Sequence, residues 1–284
     1  MAANCRRKVN LARELGIEEI RQIRAATAVE LEVFVHGALC ISYSGRCMLS
    51  NYLTGRDANR GDCAQPCRYS YRLVEEKRPG LFFPVEEDGR GTYIFNSRDL
   101  CLLNRLPQLV AAGIDSLKIE GRMKAVGYVG GVVRVYRAAL DWMREQVAAG
   151  SEVSRLVIPE NFTREIRKFG TRGWTENFFD GPPDAADMLH DRMREDQSWV
   201  PVGIVRRADP LVIETRGVLS PGDRIEYLGR HLDAVGCTVV AIATEEGRFL
   251  ERAIPGGRVV IRTEPLIPNP EPDSLLRRKS GEEE

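Results

Sequence analysis

The sequence predicts an α/β protein in which helix–strand units precede a small antiparallel β-barrel. Two observations carry this prediction. Within residues 16–149, amphipathic helical runs alternate with short β-branched runs, which is typical of a β/α repeat. Residues 200–263 contain five short strand-like runs broken by Gly and Pro, and such spacing indicates a small antiparallel barrel. The segment 151–198 between them is rich in Gly, Pro and Asp and is predicted to be a linker of helices and loops.

The elements of the first part follow from hydrophobic spacing. Residues 16–27 place three isoleucines at helical spacing and predict an amphipathic helix. The β-branched and aromatic runs 29–37 and 113–121 each end in Gly and predict buried strands. A helix is predicted from an N-cap at Ser97, carrying Leu100, Cys101, Leu103 and Leu106, and a long helix is predicted over 124–149.

The second part is predicted to be a barrel domain over 199–266. Its five strand-like runs are residues 200–207, 210–217, 223–229, 238–247 and 257–263. Gly and Pro between the runs supply the turns that an antiparallel arrangement needs. The tail 267–284 is charged and is predicted to be disordered.

The bulk composition is that of an ordinary globular protein, with 43% apolar and 29% charged residues. Lys plus Arg and Asp plus Glu both number 41, so the net charge of zero neither requires nor excludes a nucleic-acid partner. No apolar run reaches the ~18 residues of a membrane span, and none is predicted. The first residues lack the apolar core of a signal peptide, which predicts a cytoplasmic protein whose thiols stay reduced.

The most informative stretch is 31–67, which holds four of the seven cysteines and one of the three histidines. Cys40, Cys47, Cys63 and Cys67 lie there, and Cys101 follows later. Disulfides, buried inert thiols and a thiolate-bound metal all compete to explain this cluster. The polar neighbours of three of these thiols favour zinc or an iron–sulfur cluster, although only the last pair of the stretch has the spacing usual for zinc ligands.

Two polar residues fall where predicted strands end. His36 closes the first strand and Glu120 the second, and the C-terminal ends of strands are where α/β folds place their chemistry. His36 is a candidate general base or substrate contact, or alternatively a histidine satisfied by a backbone carbonyl. Glu120 is a candidate catalytic group held ionised by Lys118 and Arg122, or alternatively part of a structural salt bridge.

Arginines and tyrosines surround the cysteine stretch. They are Arg46, Arg56, Arg60, Arg68, Arg122, Tyr43, Tyr52 and Tyr69. Arginine with aromatic residues is the combination that readers of single-stranded RNA use for phosphates and base stacking. The sequence therefore predicts substrate or RNA contacts at Tyr43, Arg46, Arg60, Arg68, Lys118 and Arg122, with an ordinary solvated surface as the alternative.

Three blocks carry a family resemblance: ELEVFVHGALCISYSGRCMLS, NRGDCAQPCR and DSLKIEGRMK. They resemble the collagenase-like peptidase family U-thirty-two, and most closely its branch acting in tRNA uridine hydroxylation. The resemblance implies a four-iron, four-sulfur cluster held by four cysteines. The preferred ligands are Cys40, Cys47, Cys63 and Cys101, with Cys67 as the fifth candidate.

The resemblance also implies the fold of the first part. The family's catalytic part resembles a TIM-like β/α barrel, which needs about eight strand–helix units. Only two or three units fit before residue 150. The chain is therefore predicted to contain a partial TIM-like β/α barrel over 1–150 that lacks the family's early strands.

Three functions are consistent with these residues. The resemblance implies an iron–sulfur protein of tRNA uridine hydroxylation, which forms 5-hydroxyuridine, with tRNA and an electron-donor protein as partners. The first alternative is a cysteine- or metal-dependent collagenase-like peptidase, although the sequence has no His-Glu-x-x-His or Gly-x-Ser-x-Gly motif. The second alternative is a zinc-stabilised RNA-binding module.

Overall fold

The computed structural model describes residues 8–40, 42–69, 72–74, 82–84, 98–170, 173–182 and 198–280. The chain divides into two compact units. The first unit comprises Met1–Met123, Glu152–Leu156 and Arg172–Glu195. The second unit comprises Lys124–Ser151, Val157–Thr171 and Asp196–Glu284.

The first unit contains three α-helices and seven strands among its described residues. The helices are α1 (Ile17–Ala26), α2 (Leu49–Thr54) and α3 (Leu106–Ala111). The strands are β1 (Lys8–Asn10), β2 (Glu30–Ala38), β3 (Arg72–Val74), β4 (Phe82–Pro84), β5 (Asp99–Cys101), β6 (Ser116–Ile119) and β7 (Trp174–Thr175). The predicted helix over 16–27 and the predicted strands over 29–37 and 113–121 are thereby confirmed.

Strand β2 is the centre of the first unit's main sheet. It runs parallel to β1 on one side and to β6 on the other, and its last residues pair antiparallel with β5, which in turn pairs with β7. Leu31, Val33 and Val35 alternate along β2 and are buried. The parallel trio β1–β2–β6 is what a β/α repeat requires. Its extension into a TIM-like barrel remains a prediction.

The helix predicted to begin at Ser97 is wrong in its first part. Residues Asp99–Cys101 form β5, and the helical conformation begins only at Leu103. Tertiary hydrogen bonds explain the difference: the Asp99 N–H donates to the Gly173 carbonyl at 3.0 Å, and the Leu102 N–H donates to the Val35 carbonyl at 2.8 Å. Pairing with β2 and β7 therefore overrides the local helical spacing. Ser97 itself lies outside the described residues.

The second unit consists of two helices and a closed β-barrel. The helices are α4 (Val126–Ala148) and α5 (Glu160–Arg167). The strands are β8 (Trp199–Arg207), β9 (Val212–Thr215), β10 (Arg224–Leu228), β11 (Val235–Ala243), β12 (Arg258–Glu264) and β13 (Leu275–Lys279). The barrel order is β10-β11-β12-β9-β8-β13, with β13 pairing back onto β10 and every neighbouring pair antiparallel. The predicted α/β class with a small antiparallel barrel is confirmed.

Two predicted boundaries need correction. The tail predicted to be disordered over 267–284 contains β13, which closes the barrel through pairs with β8 and β10. Leu276 of this strand is fully buried, and the adjacent arginines are neutralised by carboxylates of the same unit. The predicted break near residue 150 also differs, because α4 belongs to the unit that contains the barrel. No described helix is both long and apolar enough to cross a membrane.

A buried ion cluster joins α4, α5 and β13 within the second unit. Glu165 accepts hydrogen bonds from Arg134 at 2.8 Å and from the Arg277 Nη2 at 3.0 Å, and the Arg277 Nη1 lies 2.9 Å from the same carboxylate. Arg277 also binds Glu226 at 2.6 Å. Burial opposes ionisation of Glu165, but the two guanidinium groups outweigh it and hold the pKa of this carboxyl below its ordinary value. Arg277 of β13 is thus part of the unit's interior.

Candidate functional site

Four cysteines lie on the wall of one cavity in the first unit. The cavity has a volume of about 560 Å³ and is lined by Cys40, Cys47, Cys63 and Cys67. Charged and aromatic residues form other parts of the wall, among them Arg13, Phe34, Tyr43, Lys118, Glu120 and Arg122. Thiols, cations, a carboxylate and aromatic rings therefore share a space large enough for a small molecule or a nucleobase.

The loop between β2 and α2 positions Cys40 and Cys47. The Asn59 amide fixes the second of these from a neighbouring loop: its Oδ1 accepts from the Cys47 N–H at 2.9 Å and its Nδ2 donates to the Cys47 carbonyl at 3.0 Å. Cys47 also lies just before α2, whose first N–H groups have no partner inside the helix. This position suits a thiolate.

The pKa values of the Cys40 and Cys47 thiols are shifted in opposite directions. Burial raises the pKa of the Cys40 thiol above its ordinary value. Burial also opposes ionisation of Cys47, but hydrogen bonds from the backbone N–H groups of Ser50 and Leu49 outweigh it and lower the pKa of this thiol. The site therefore already stabilises one thiolate through the start of α2.

The second loop carries Cys63 and Cys67 and is fastened at several points. The buried Ser50 hydroxyl accepts from the Ala64 N–H at 3.0 Å, and the Tyr69 hydroxyl donates to the Ala64 carbonyl at 3.1 Å. The Gln65 N–H donates to the Cys63 Sγ at 3.2 Å. Arg122, after β6, donates to the carbonyls of Gly61 and Cys63. These bonds hold the loop against the end of β6.

The donor set agrees with the chemistry of an iron–sulfur cluster. Thiolates are the soft ligands that such clusters take, commonly four per cluster. Within the described ranges, no three His, Cys, Asp or Glu side chains are grouped closely enough to hold a metal ion. The four thiols are instead distributed around a cavity.

Cys101 is not among the residues that line this cavity. It sits on β5 directly opposite His36 of β2. His36 is likewise absent from the wall: it is 1% exposed, and its ring packs edge-on against Trp174 with a centroid distance of 5.9 Å. Among the two predicted catalytic residues, only Glu120 reaches the cavity, where its Oε1 accepts from the Arg122 N–H at 3.0 Å.

The structure places the six predicted substrate- or RNA-contacting residues differently. Tyr43, 73% exposed, and Lys118 line the cavity, and the Lys118 ammonium also lies 4.7 Å from the Phe34 ring centroid. Arg46 and Arg60 are exposed but are not part of the wall. The Arg122 guanidinium is occupied by the second cysteine loop. Nothing is described for the side chain of Arg68.

Several site residues were not predicted from the sequence. Arg13 lines the cavity with its guanidinium 3.8 Å from the Phe34 ring centroid, while Ser50 and Asn59 brace the cysteine loops. The one available signal for Asn59 was its place in the turn before Cys63. No comparable signal marks the other two, because their roles depend on contacts between distant segments.

Gly37 allows Glu120 to approach the end of β2. Its φ is +108°, and an added Cβ would lie 2.1 Å from the Glu120 carbonyl oxygen. We expect Gly37→Ala to lower the free energy of unfolding by more than about 2 kcal/mol, because the backbone strain and the clash add. Thermal and urea unfolding measure this loss.

Gly45→Ala is the matched control for that substitution. Gly45 has a φ of +76° but nothing within 4 Å of an added Cβ. Its alanine variant should lose only the ~1 kcal/mol of a strained backbone. If both variants lose the same free energy of unfolding, the close approach of Gly37 to Glu120 does not contribute to the loss.

Arg122→Ala should loosen the loop that carries Cys63. The substitution removes the donors to the Gly61 and Cys63 carbonyls and an ion pair with Asp62 at 3.6 Å. At about 1 kcal/mol for each hydrogen bond, we expect amide hydrogen exchange in residues 57–69 to quicken at least tenfold. Arg60→Ala, a change to an exposed arginine in the same loop, should leave the exchange rate unchanged, and equal effects would contradict the assignment.

Comparison with known proteins identifies the family. The model of Peptidase family U32 matches residues 1–189, more than half of the chain. A tRNA hydroxylation protein P1 of Bacillus subtilis is 35% identical over 251 residues, which cover 87% of this chain and 58% of that protein. An uncharacterized protease of Methanocaldococcus jannaschii is 41% identical over 178 residues, covering 61% of this chain and 41% of that protein.

The name of a third relative refers to a different RNA. The 23S rRNA 5-hydroxycytidine C2501 synthase of Escherichia coli is 37% identical over 171 residues, covering 60% of this chain and 25% of that protein. The chain thus spans less than two thirds of the length of each of these curated relatives. The match over residues 1–189 includes the cysteine-lined cavity and Glu120, and the chain belongs to Peptidase family U32.

Proposed function

We propose that this chain acts in the hydroxylation of uridine in tRNA as part of an iron–sulfur protein. The observation that carries the proposal is the presence of four cysteines on one cavity wall together with Glu120 and Lys118. The names of the relatives from Bacillus subtilis and Escherichia coli, which concern tRNA hydroxylation and rRNA hydroxycytidine, support RNA hydroxylation as the reaction class.

Cys40, Cys47, Cys63 and Cys67 would hold the cluster. A four-iron, four-sulfur cluster, when bound, supplies electron transfer at a potential that its protein surroundings set. The protein's own contribution is to fix the thiols: Asn59 anchors Cys47, and Arg122 and Ser50 fasten the loop of Cys63 and Cys67. The pKa of Cys47, lowered from its ordinary value, favours the thiolate form that ligation needs.

The remaining wall residues suit a nucleotide. Arg13 and Lys118 place two cations by the Phe34 ring, where they attract phosphate. Tyr43 presents an exposed ring on which a base can stack. Glu120 offers a carboxylate that accepts a hydrogen bond from a base or takes up a proton. Replacing a ring hydrogen of uracil by a hydroxyl group is a two-electron oxidation, so the proposal requires an oxygen-atom donor. Where that donor is dioxygen, an electron-donor protein supplies the two electrons that reduce its second oxygen atom to water.

Nucleoside analysis tests the proposed reaction. We expect the chain, expressed in bacterial cells deleted for their own tRNA hydroxylation genes, to restore 5-hydroxyuridine in tRNA, as measured by mass spectrometry. Cys47→Ser should abolish the product, and Glu120→Gln should reduce it at least tenfold. Glu160→Gln, which makes the same change at an exposed glutamate of α5, should retain it. Absence of the product with the unaltered chain would refute the proposal.

A peptidase remains the second candidate because the relative from Methanocaldococcus jannaschii is named a protease. A cysteine nucleophile would need a neighbouring base, and His36 does not lie on the cavity wall. We therefore expect no gelatin cleavage by the chain. Gelatin cleavage that is lost in Cys40→Ser or Cys63→Ser would favour the peptidase over RNA hydroxylation.

A further inference from the structure

The barrel of the second unit carries a groove that the cysteine site does not use. Its volume is about 360 Å³, and it is lined from five strands by Trp199, Arg224, Thr238, Glu264 and Lys279, among others. The strand registers place these side chains on one face: Lys279 lies opposite Trp199, and Thr238 lies opposite both Arg224 and Glu264.

This face points away from the barrel interior. Ile225 and Cys237 also line the groove, but their side chains belong to the barrel's apolar core and alternate along β10 and β11 with those of Arg224 and Thr238. Because neighbouring side chains in a strand point to opposite faces, Arg224 and Thr238 project outward. Arg224 and Lys279 are accordingly exposed.

Trp199, the aromatic residue of the groove, is held in place by two cations of the second unit. The Trp199 ring centroid lies 4.7 Å from the Arg277 guanidinium and 4.9 Å from the Lys168 ammonium. Arg277 is itself 2% exposed and is fixed by Glu165 and Glu226. The buried ion cluster therefore orients the indole, and little conformational entropy remains to be lost when a ligand packs on it.

The charges of the groove favour an anion. Glu226 is engaged by Arg277 at 2.6 Å, so its charge is already compensated. Arg224 and Lys279, by contrast, form no ion pair within the part of the chain that the structure describes. Two available cations beside an oriented indole are the combination that binds phosphates and stacked bases. Glu264 and the Thr238 hydroxyl can accept hydrogen bonds from the amino groups of bases.

We propose that this groove binds a short single-stranded segment of RNA, with phosphates at Arg224 and Lys279 and a base on Trp199. The inference rests on the proposed action on RNA and adds a second contact to it, in the other unit of the chain. A groove of this volume accommodates about one nucleotide, at the lower end of ligand-site sizes. Stacking makes the site tolerant of base sequence.

Fluorescence anisotropy with the full chain and a labelled single-stranded RNA 12-mer tests this site. We expect Arg224→Glu combined with Lys279→Glu to weaken binding at least tenfold and to lower the slope of log affinity against log salt by about 1.4. Arg248→Glu combined with Arg252→Glu makes the same charge change on exposed barrel residues outside the groove and should cost less than twofold. Equal losses for the two pairs would overturn the proposal.

Trp199→Leu separates stacking from charge. It should weaken RNA binding about tenfold while changing the binding of inorganic polyphosphate, which has no bases, less than twofold. An unchanged RNA affinity in a variant that keeps its circular dichroism spectrum would overturn the proposal, as would tighter binding of polyglutamate than of RNA. RNA binding with these variant effects, but without 5-hydroxyuridine in the cell assay, would support the groove and refute the proposed reaction.

Discussion

Glu165→Ala should lower the free energy of unfolding by about 3–5 kcal/mol, the largest loss that we expect from a single side chain. Glu165 is 6% exposed and is the shared partner of Arg134 and Arg277. Its removal leaves two guanidinium groups buried without this counterion, and burial already lowers the pKa of Arg134. Urea unfolding followed by circular dichroism measures the loss.

Glu160→Ala is the control on the same helix. Glu160 is exposed and faces Arg164 at 3.8 Å on the surface. Exposed pairs of this kind contribute little, so the loss should stay below about 0.5 kcal/mol. If both variants lose the same amount, the buried ion cluster does not stabilise the second unit.

Because of the buried ion cluster, we expect the stability of the protein to depend on pH. The pKa of Glu165 is lower in the folded protein than its ordinary value of 4.5. The stability that this difference supplies is fully present above the unfolded pKa and is lost as the pH falls through the folded one. Wild-type protein should therefore lose stability below about pH 4.5 more steeply than Glu165→Gln, and parallel pH profiles would contradict this account.

Cys67→Ser should remove most of the iron from anaerobically purified protein, whereas Cys101→Ser should retain it. Cys67 lies on the cavity wall with three other thiols, and Cys101 lies on β5 outside it. Loss of one of four ligands commonly prevents stable cluster retention. The opposite pattern, iron lost with Cys101→Ser and kept with Cys67→Ser, would restore the ligand set that the family resemblance first favoured.

The sequence predicted the parts of the fold that depend on local patterns. The isoleucine spacing of α1, the apolar run of β2 and the turn-separated strands of the barrel all have short-range signals. It failed at β5 and β13, where pairing with distant strands decides the structure. The arginines of β13 looked like a solvated tail, because Glu165, which neutralises one of them, lies more than 100 residues away along the chain.

In the candidate site, too, the sequence predicted local features and missed contacts between distant segments. The cysteine spacing predicted a shared site, and the structure brings four of the five candidate thiols to one cavity. The sequence could not show that His36 would pack against Trp174 or that Arg122 would bind the loop of Cys63. Both outcomes depend on contacts between segments far apart in sequence, which no periodicity records.

Anaerobic purification followed by an absorption spectrum and by iron and acid-labile sulfide analysis tests the central claim most directly. We expect absorption near 400 nm and about four irons and four sulfides per chain, the content of one four-iron cluster. Cys47→Ser should lose the absorption and the iron together. A colourless protein that contains zinc, or no metal at all, would contradict the assignment of the cysteine-lined cavity as an iron–sulfur site.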